Sequence, residues 1–206
     1  MTIRVGVVDD HPIALGGLDA ALATIEDMTV VAQTGTAAGA RELARRDDID
    51  VLLLDIRLPD GNGLEVLSDI GRQARPAVIV ISSFGMGSYV AAAVRFGAQG
   101  FVLKTAPLAE LIAAIRRVAG GGSAFTADQL RESRSGFIAL SPRERDVLRL
   151  VLAGCSNDEV AGRLGISAKT VEVYLSRLYA RFGAMSRTEL ALRADREGWL
   201  DVVEGR

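Results

Sequence analysis

The chain has 206 residues, a net charge of −2 and a single cysteine, and 49% of its residues are hydrophobic. This length allows one large domain or two small ones, and one cysteine excludes an internal disulfide framework. The charge is too close to zero to argue for nucleic-acid binding by itself. No signal-peptide pattern and no apolar stretch of membrane-spanning length are visible, so we expect a soluble, cytoplasmic protein.

The first 119 residues repeat one pattern, in which a short apolar run is followed by a segment with helical spacing. Short apolar runs bounded by turn residues are typical of strands buried on both faces. The pattern predicts strands at 3–8, 29–33, 50–54, 77–82 and 99–103, and helices at 12–24, 37–46, 63–72, 88–96 and 107–119. Five such units predict a five-stranded, parallel, doubly wound α/β domain.

Polar residues stand where four of the predicted strands end, and these are Asp9, Asp10, Asp55, Ser82 and Lys104. The carboxyl ends of parallel strands meet at one edge of the sheet, so we expect these side chains to share a pocket. Taken alone, Asp55 is better explained as a turn-capping residue than as a functional one. Together, clustered carboxylates need a cation, and hard oxygen ligands favour Mg²⁺. A nucleophilic carboxylate facing an ammonium and a hydroxyl suits the acceptance of a phosphoryl group.

The pattern changes after residue 119. Residues 120–136 are rich in glycine and serine and predict a flexible linker, with a short helix at 126–131. Residues 137–200 lack strand signals. Capping residues there predict helices at 142–153, 157–164, 168–182 and 187–197, and hence a small all-α domain.

The two middle helices of this domain have helix-turn-helix spacing, because Gly165 ends one helix and Ser167 can cap the next. The helix at 168–182 has one apolar and one polar face. A recognition helix needs short polar side chains for base edges and cations for phosphates, although an ordinary surface helix would have a similar charge. The candidate DNA-binding residues are Lys169, Thr170, Glu172, Val173, Ser176, Arg177 and Arg181.

Residues 1–119 resemble the receiver domain of two-component response regulators, a flavodoxin-like fold, on the segments Val7–Pro12, Leu54–Pro59 and Gly97–Lys104. The resemblance implies that a sensor histidine kinase phosphorylates Asp55. The implied Mg²⁺ ligands are Asp9, Asp10, Asp55 and the backbone carbonyl of Arg57, and the implied phosphoryl-sensing residues are Ser82, Lys104 and the aromatic switch residue Phe101.

The second domain resembles the LuxR-type helix-turn-helix of NarL and FixJ relatives, on Leu140–Leu148, Asn157–Ala161 and Ser167–Val173. This implies that helix 168–182 enters the major groove of DNA and that the active protein is a homodimer. Base-reading positions would be Glu172, Val173 and Ser176, and phosphate contacts would come from Lys169, Thr170, Arg177 and Arg181. Glu172 replaces a commonly basic residue, and contact with cytosine and exposure to solvent both remain open.

The resulting hypothesis is a DNA-binding transcriptional response regulator rather than an enzyme acting on a metabolite. One alternative is a DNA-binding regulator of the same fold that works without phosphorylation. Another is a phosphatase of the haloacid dehalogenase kind. Such phosphatases carry an Asp-x-Asp pattern at the strand end. This chain lacks the second aspartate, because Arg57 stands two residues after Asp55.

Overall fold

The computed structural model describes residues 2–71, 76–85, 87–136, 140–196 and 199–200. The described residues divide into two compact units, one ending with residue 136 and the other beginning with residue 140. The first unit is an α/β domain and the second is helical, which confirms the predicted fold class. Within the described part of the chain, no helix combines the length and the apolar character needed to cross a membrane.

The first unit alternates strands and helices. Its elements are β1 (Ile3–Val8), α1 (Pro12–Ala23), β2 (Met28–Thr34), α2 (Ala37–Leu43), β3 (Val51–Asp55), β4 (Arg57–Leu58), β5 (Gly61–Asn62), α3 (Gly63–Ile70), β6 (Ala77–Ser82), α4 (Gly87–Phe96), β7 (Gly100–Leu103), α5 (Leu108–Ala119) and α6 (Ala127–Gly136). The main sheet has the order β2-β1-β3-β6-β7, and all its strand pairs are parallel. The strand order changes direction between β1 and β3. Open α/β sheets bind their ligands at the carboxyl ends of the strands at such a switch point.

The central strands are buried because helices cover both faces of the sheet, as parallel sheets require. Every residue of β3 and β6 is buried. Val7, Leu53 and Ile79 belong to one core cluster, which also receives Leu111 and Ile115 from the apolar face of α5. This packing fixes the carboxyl ends of the strands relative to one another.

The segment from 120 to 136 differs from the predicted flexible linker, because it belongs to the first compact unit. Ala124 N donates to the carbonyl of Gln99 over 2.7 Å, beside the edge strand β7. Helix α6 is longer than predicted and contacts α4. It begins with reciprocal bonds, from Thr126 N to Gln129 Oε1 and from Gln129 N to Thr126 Oγ1, which satisfy donors at the helix start. Composition suggested a tether here, but this cap and the sheet contact favour ordered packing.

The second unit contains α7 (Pro142–Leu152), α8 (Asn157–Leu164), α9 (Ala168–Phe182) and α10 (Arg187–Arg196). The caps are as predicted: capping boxes at Ser141 and Ser156 open α7 and α8. Gly165 ends α8 with a left-handed φ of 65°, which glycine adopts without strain. Phe182 and Trp199 stack in the core with ring centroids 3.9 Å apart. The unit therefore has its own core beneath the predicted helix-turn-helix.

Candidate functional site

The ends of β1, β3 and β7 bring one ammonium between two carboxylates. Lys104 Nζ lies 2.7 Å from Asp55 Oδ2 and 2.7 Å from Asp9 Oδ2. Both carboxylates are buried, whereas Asp10 next to them is exposed. Asp55 Oδ1 also accepts from Ile56 N over 2.8 Å, which fixes the orientation of the carboxylate. Four of the residues singled out at the strand ends thus form one polar pocket.

Charge in this pocket is unbalanced, because one lysine serves two buried carboxylates. Burial raises the pKa of Asp55, and its hydrogen bond to Lys104 offsets this rise only in part. For Lys104, burial works to lower the pKa, but the hydrogen bonds to Asp55 and Asp9 outweigh it and the pKa is raised. The ammonium is therefore charged at neutral pH, and a further cation would reduce the repulsion among the clustered acidic side chains.

Replacing Asp55 with asparagine is expected to raise the thermal stability of the first unit at pH 7 without divalent metal. The raised pKa means that charged Asp55 costs folding free energy at every pH above its folded-state pKa. This cost disappears as the pH falls from the folded-state pKa of Asp55 to its unfolded-state value of about 3.9, so the two proteins should become equally stable near the lower value. Thermal unfolding of both proteins across this pH range measures the difference. A gap that widens on acidification would contradict the assignment.

The pocket fits a divalent cation that prefers oxygen ligands. Potential ligand atoms of Asp9, Asp10, His11 and Asp55 all lie within 4.8 Å of one another. Carboxylate oxygens with an open side toward solvent are the donor set that suits Mg²⁺, which keeps several waters. Arg57 opens β4 two residues after Asp55, on the same loop. His11 joins the cluster through its Nδ1, which lies beside a carboxylate oxygen of Asp10.

Ser82 and Phe101 lie on the two strands beyond β3. Ser82 is buried at the end of β6, and its Oγ accepts from Phe84 N over 3.1 Å. Phe101 is buried in β7, and its carbonyl accepts from the amide Nε2 of Gln129 on α6 over 3.2 Å. The edge strand β7 is therefore hydrogen bonded to α6, the last helix of the first unit.

Gly63, which opens α3, leaves no room for a side chain beside Asp55. A Cβ at this position would lie 1.9 Å from the carbonyl oxygen of Asp55. Because backbone must then move, we expect Gly63→Ala to destabilise the first unit by about 3 kcal/mol. Gly16→Ala is the matched control, since a Cβ there meets nothing within 4 Å and alanine favours a helix. Urea unfolding measures both variants, and equal stability of the two would contradict the steric argument.

Helix α9 separates its two faces as the sequence predicts. Val171, Leu175, Leu178 and Phe182 are buried in the core of the second unit. Six of the candidate DNA-binding residues are exposed, and these are Lys169, Glu172, Val173, Ser176, Arg177 and Arg181.

Three candidate side chains in the first turns of α9 already have partners in α9 or in its capping residue. Lys169 Nζ and Glu172 Oε2 form an exposed ion pair of 2.9 Å. Thr170 is half-buried, and its hydroxyl lies 2.8 Å from Ser167 Oγ in the capping turn. The surface thus offers cations and short side chains together, with the Glu172 carboxylate turned to Lys169.

A doubly wound domain with an acidic pocket at its strand ends, joined to a helix-turn-helix, is the organisation of a DNA-binding response regulator. Comparison with known families agrees. The response regulator receiver domain matches residues 5–116, and the luxR family of bacterial regulatory proteins matches residues 139–194.

Curated relatives resemble most of the chain, across both units. The transcriptional regulatory protein MctR of Rhizobium johnstonii is 36% identical, over 88% of this chain and 87% of its own length. The nitrate/nitrite response regulator NarP of Escherichia coli is 35% identical, over 89% and 90%. Among solved structures, RcsB of Salmonella enterica serovar Typhimurium, bound to a promoter in the presence of phosphomimetic BeF3−, has a TM-score of 0.67 and 26% identity, over 93% and 97%. The chain belongs to the two-component response regulators with a LuxR-type helix-turn-helix, and it is a DNA-binding transcriptional regulator.

Proposed function

We propose that this regulator is controlled by Mg²⁺-dependent phosphorylation of Asp55 by a sensor histidine kinase, in the cytoplasm. The observation that supports this most directly is the shared ammonium: Lys104 holds the Asp55 and Asp9 carboxylates together at the end of the sheet. Such a pocket has a nucleophilic carboxylate, an ammonium that can pair with a phosphoryl group, and neighbouring acidic side chains that can bind a metal. An ordinary turn-capping aspartate requires none of these.

The phosphoryl step is a transfer from nitrogen to oxygen. A carboxylate oxygen of Asp55 attacks the phosphorus of a phosphohistidine, the P–N bond breaks, and the released imidazole nitrogen takes a proton from solvent. Asp9, Asp10, Asp55 and the Arg57 carbonyl would hold Mg²⁺, which when bound neutralises charge on the transferred group. Lys104 then pairs with a phosphoryl oxygen in place of the carboxylate oxygen that it contacts without phosphate. Ser82 supplies a hydrogen bond to the same group.

Residues at the strand ends transmit the effect of phosphorylation to the rest of the protein. When Ser82 and Lys104 turn to the phosphoryl group, the neighbouring side chain of Phe101 is free to repack. The Phe101 carbonyl accepts a hydrogen bond from Gln129 of α6. A movement of β7 is therefore expected to move α6 as well. The chain continues from α6 into the second unit. We expect the phosphorylated protein to pair as a homodimer and to bind a two-fold related DNA site through α9.

Intact-mass spectrometry tests the phosphorylation step. Wild-type protein treated with a small phosphodonor such as acetyl phosphate should gain one phosphoryl group with Mg²⁺ and none with excess EDTA. No adduct under either condition would leave the phosphorylation-independent regulator as the better account. A stable adduct in EDTA would show that phosphorylation does not require a metal bound by the acidic residues.

A further inference from the structure

The loop after the phosphorylation site is tied to a different part of the acidic pocket through Asp60. Strands β4 and β5 pair as a small antiparallel hairpin, and Asp60 lies at its tip. Asp60 Oδ1 accepts from Ala37 N over 2.6 Å, and Oδ2 accepts from Ala38 N over 3.0 Å. These are the first two N–H groups of α2, which have no acceptor within their own helix. Both carboxylate oxygens are therefore engaged across two loops.

The contact is close and is favoured by charge. These two backbone hydrogen bonds lower the pKa of Asp60, so the carboxylate is charged at neutral pH. A negative group at a helix N-terminus is stabilised by the helix dipole. Gly61 follows at the tip, and a Cβ there would lie 3.0 Å from Ala37 Cβ, so the hairpin packs tightly on the start of α2.

The start of α2 also borders the other side of the pocket. Asp9 N donates to the Thr34 carbonyl at the end of β2 over 3.1 Å. A Cβ on Gly35 would lie 3.4 Å from the Asp9 carbonyl oxygen and 3.6 Å from Asp10 Cα. The segment before α2 thus rests on the backbone of the two acidic residues. The Asp60 contact consequently links the loop of Arg57 to the loop of Asp9 and Asp10.

We propose that Asp60 is a positioning residue for the metal: it sets the spacing between the acidic pair and the loop that carries the Arg57 carbonyl. This inference rests on the proposed function, because it requires that pocket to bind Mg²⁺. Ligands supplied by two separate loops bind a small cation well only when the loops are held at the correct distance. Mg²⁺ demands near-ideal octahedral geometry, so it is sensitive to such spacing. Outer residues that orient metal ligands contribute to affinity although they do not touch the metal.

The test is Mg²⁺ affinity of the full chain by isothermal titration calorimetry, for wild type, Asp60→Asn and Asp60→Ala. Asparagine keeps one oxygen but turns an amide N–H₂ toward a backbone donor, so at least one bond is lost. We expect both variants to bind Mg²⁺ about tenfold more weakly. Saturating Mg²⁺ should restore the rate of phosphoryl-adduct formation, because the nucleophile and Lys104 are untouched.

Two control variants separate positioning from simple stabilisation of α2. Thr36→Ala removes the side-chain cap, which accepts from Gly39 N over 3.0 Å at the same helix start. Asp69→Asn removes an ion pair of 2.9 Å with Arg41, which also joins α2 to α3. Both leave the hairpin contact intact, so we expect Mg²⁺ affinity close to wild type. Thermal unfolding without metal shows how much stability each variant loses.

The outcomes distinguish this inference from the function on which it rests. Weaker binding in the Asp60 variants, but not in Thr36→Ala at similar stability, supports the positioning role. Wild-type affinity in the Asp60 variants, or an equal loss in Thr36→Ala, overturns it while the proposed function stands. Wild-type protein that binds no Mg²⁺ at millimolar concentration overturns both.

Discussion

Asp55→Asn is expected to abolish the phosphoryl adduct and, with it, every effect of a phosphodonor on DNA binding. The amide has no charged oxygen to attack phosphorus, although Lys104 keeps its contact with the neighbouring Asp9. The variant should nevertheless fold, because the neutral side chain relieves the burial cost that raises the pKa of Asp55. Intact mass and DNA affinity, each with and without phosphodonor, measure the effect.

A suitable control for this variant is Asp48→Asn. Asp48 is an exposed carboxylate of the same unit that pairs with Arg46 at 2.7 Å. It precedes β3 and is therefore away from the carboxyl ends of the strands, where the pocket lies. It should acquire the adduct at the wild-type rate. An adduct of full stoichiometry on Asp55→Asn would place the phosphoacceptor elsewhere, and peptide mapping would then identify it.

Arg177→Ala is expected to weaken binding to any DNA duplex by about tenfold and to lower the salt dependence of affinity by about one counterion. Arg177 is exposed on α9, on the face opposite the buried Leu175 and Leu178. Loss of a phosphate contact acts on all sequences alike, so discrimination between sites should be retained. Fluorescence anisotropy on specific and random duplexes over a range of salt concentrations measures both quantities.

Arg149→Ala is the matched control, since Arg149 is an exposed arginine of α7 in the same unit. It should leave affinity and salt dependence within about twofold of wild type. If Arg149→Ala instead has the larger effect, α9 is not the principal contact surface and the assignment of the recognition helix is wrong.

The neighbouring Glu172 poses a separate question about base reading. Its carboxylate pairs with Lys169 on the helix surface, which agrees with a solvent-facing role in the free protein. Such an exposed pair contributes little stability and can open at low cost on DNA binding. Val173, by contrast, is an exposed apolar side chain on this face and suits contact with a thymine methyl group.

The sequence predicted the strand ends well because the apolar runs are long and each ends in a polar residue. Asp55 and Lys104 are 49 residues apart, yet the rule that parallel strands end at one edge places them together. What the sequence did not predict is that one ammonium is shared by Asp55 and Asp9. That sharing depends on side-chain packing, which periodicity does not report.

The remaining differences have similar causes. The hairpin of β4 and β5 has only two residues per strand, too few for a pattern, and Asp60 in a Pro-Asp-Gly turn reads as a local turn residue. Its real partners lie 23 and 22 residues away in α2. Similarly, the glycine-rich start of 120–136 predicted a linker, whereas the contact of Gln129 with the Phe101 carbonyl is tertiary.

The central claim is that phosphorylation of Asp55 controls DNA binding, and one measurement tests it most directly. Wild-type protein is treated with phosphodonor and Mg²⁺, and mass, oligomeric state and DNA affinity are recorded on the same sample before and after treatment. The account predicts a shift from monomer to dimer and a gain in affinity of about tenfold, in proportion to the adduct. Complete phosphorylation with unchanged oligomeric state and unchanged DNA affinity would contradict it.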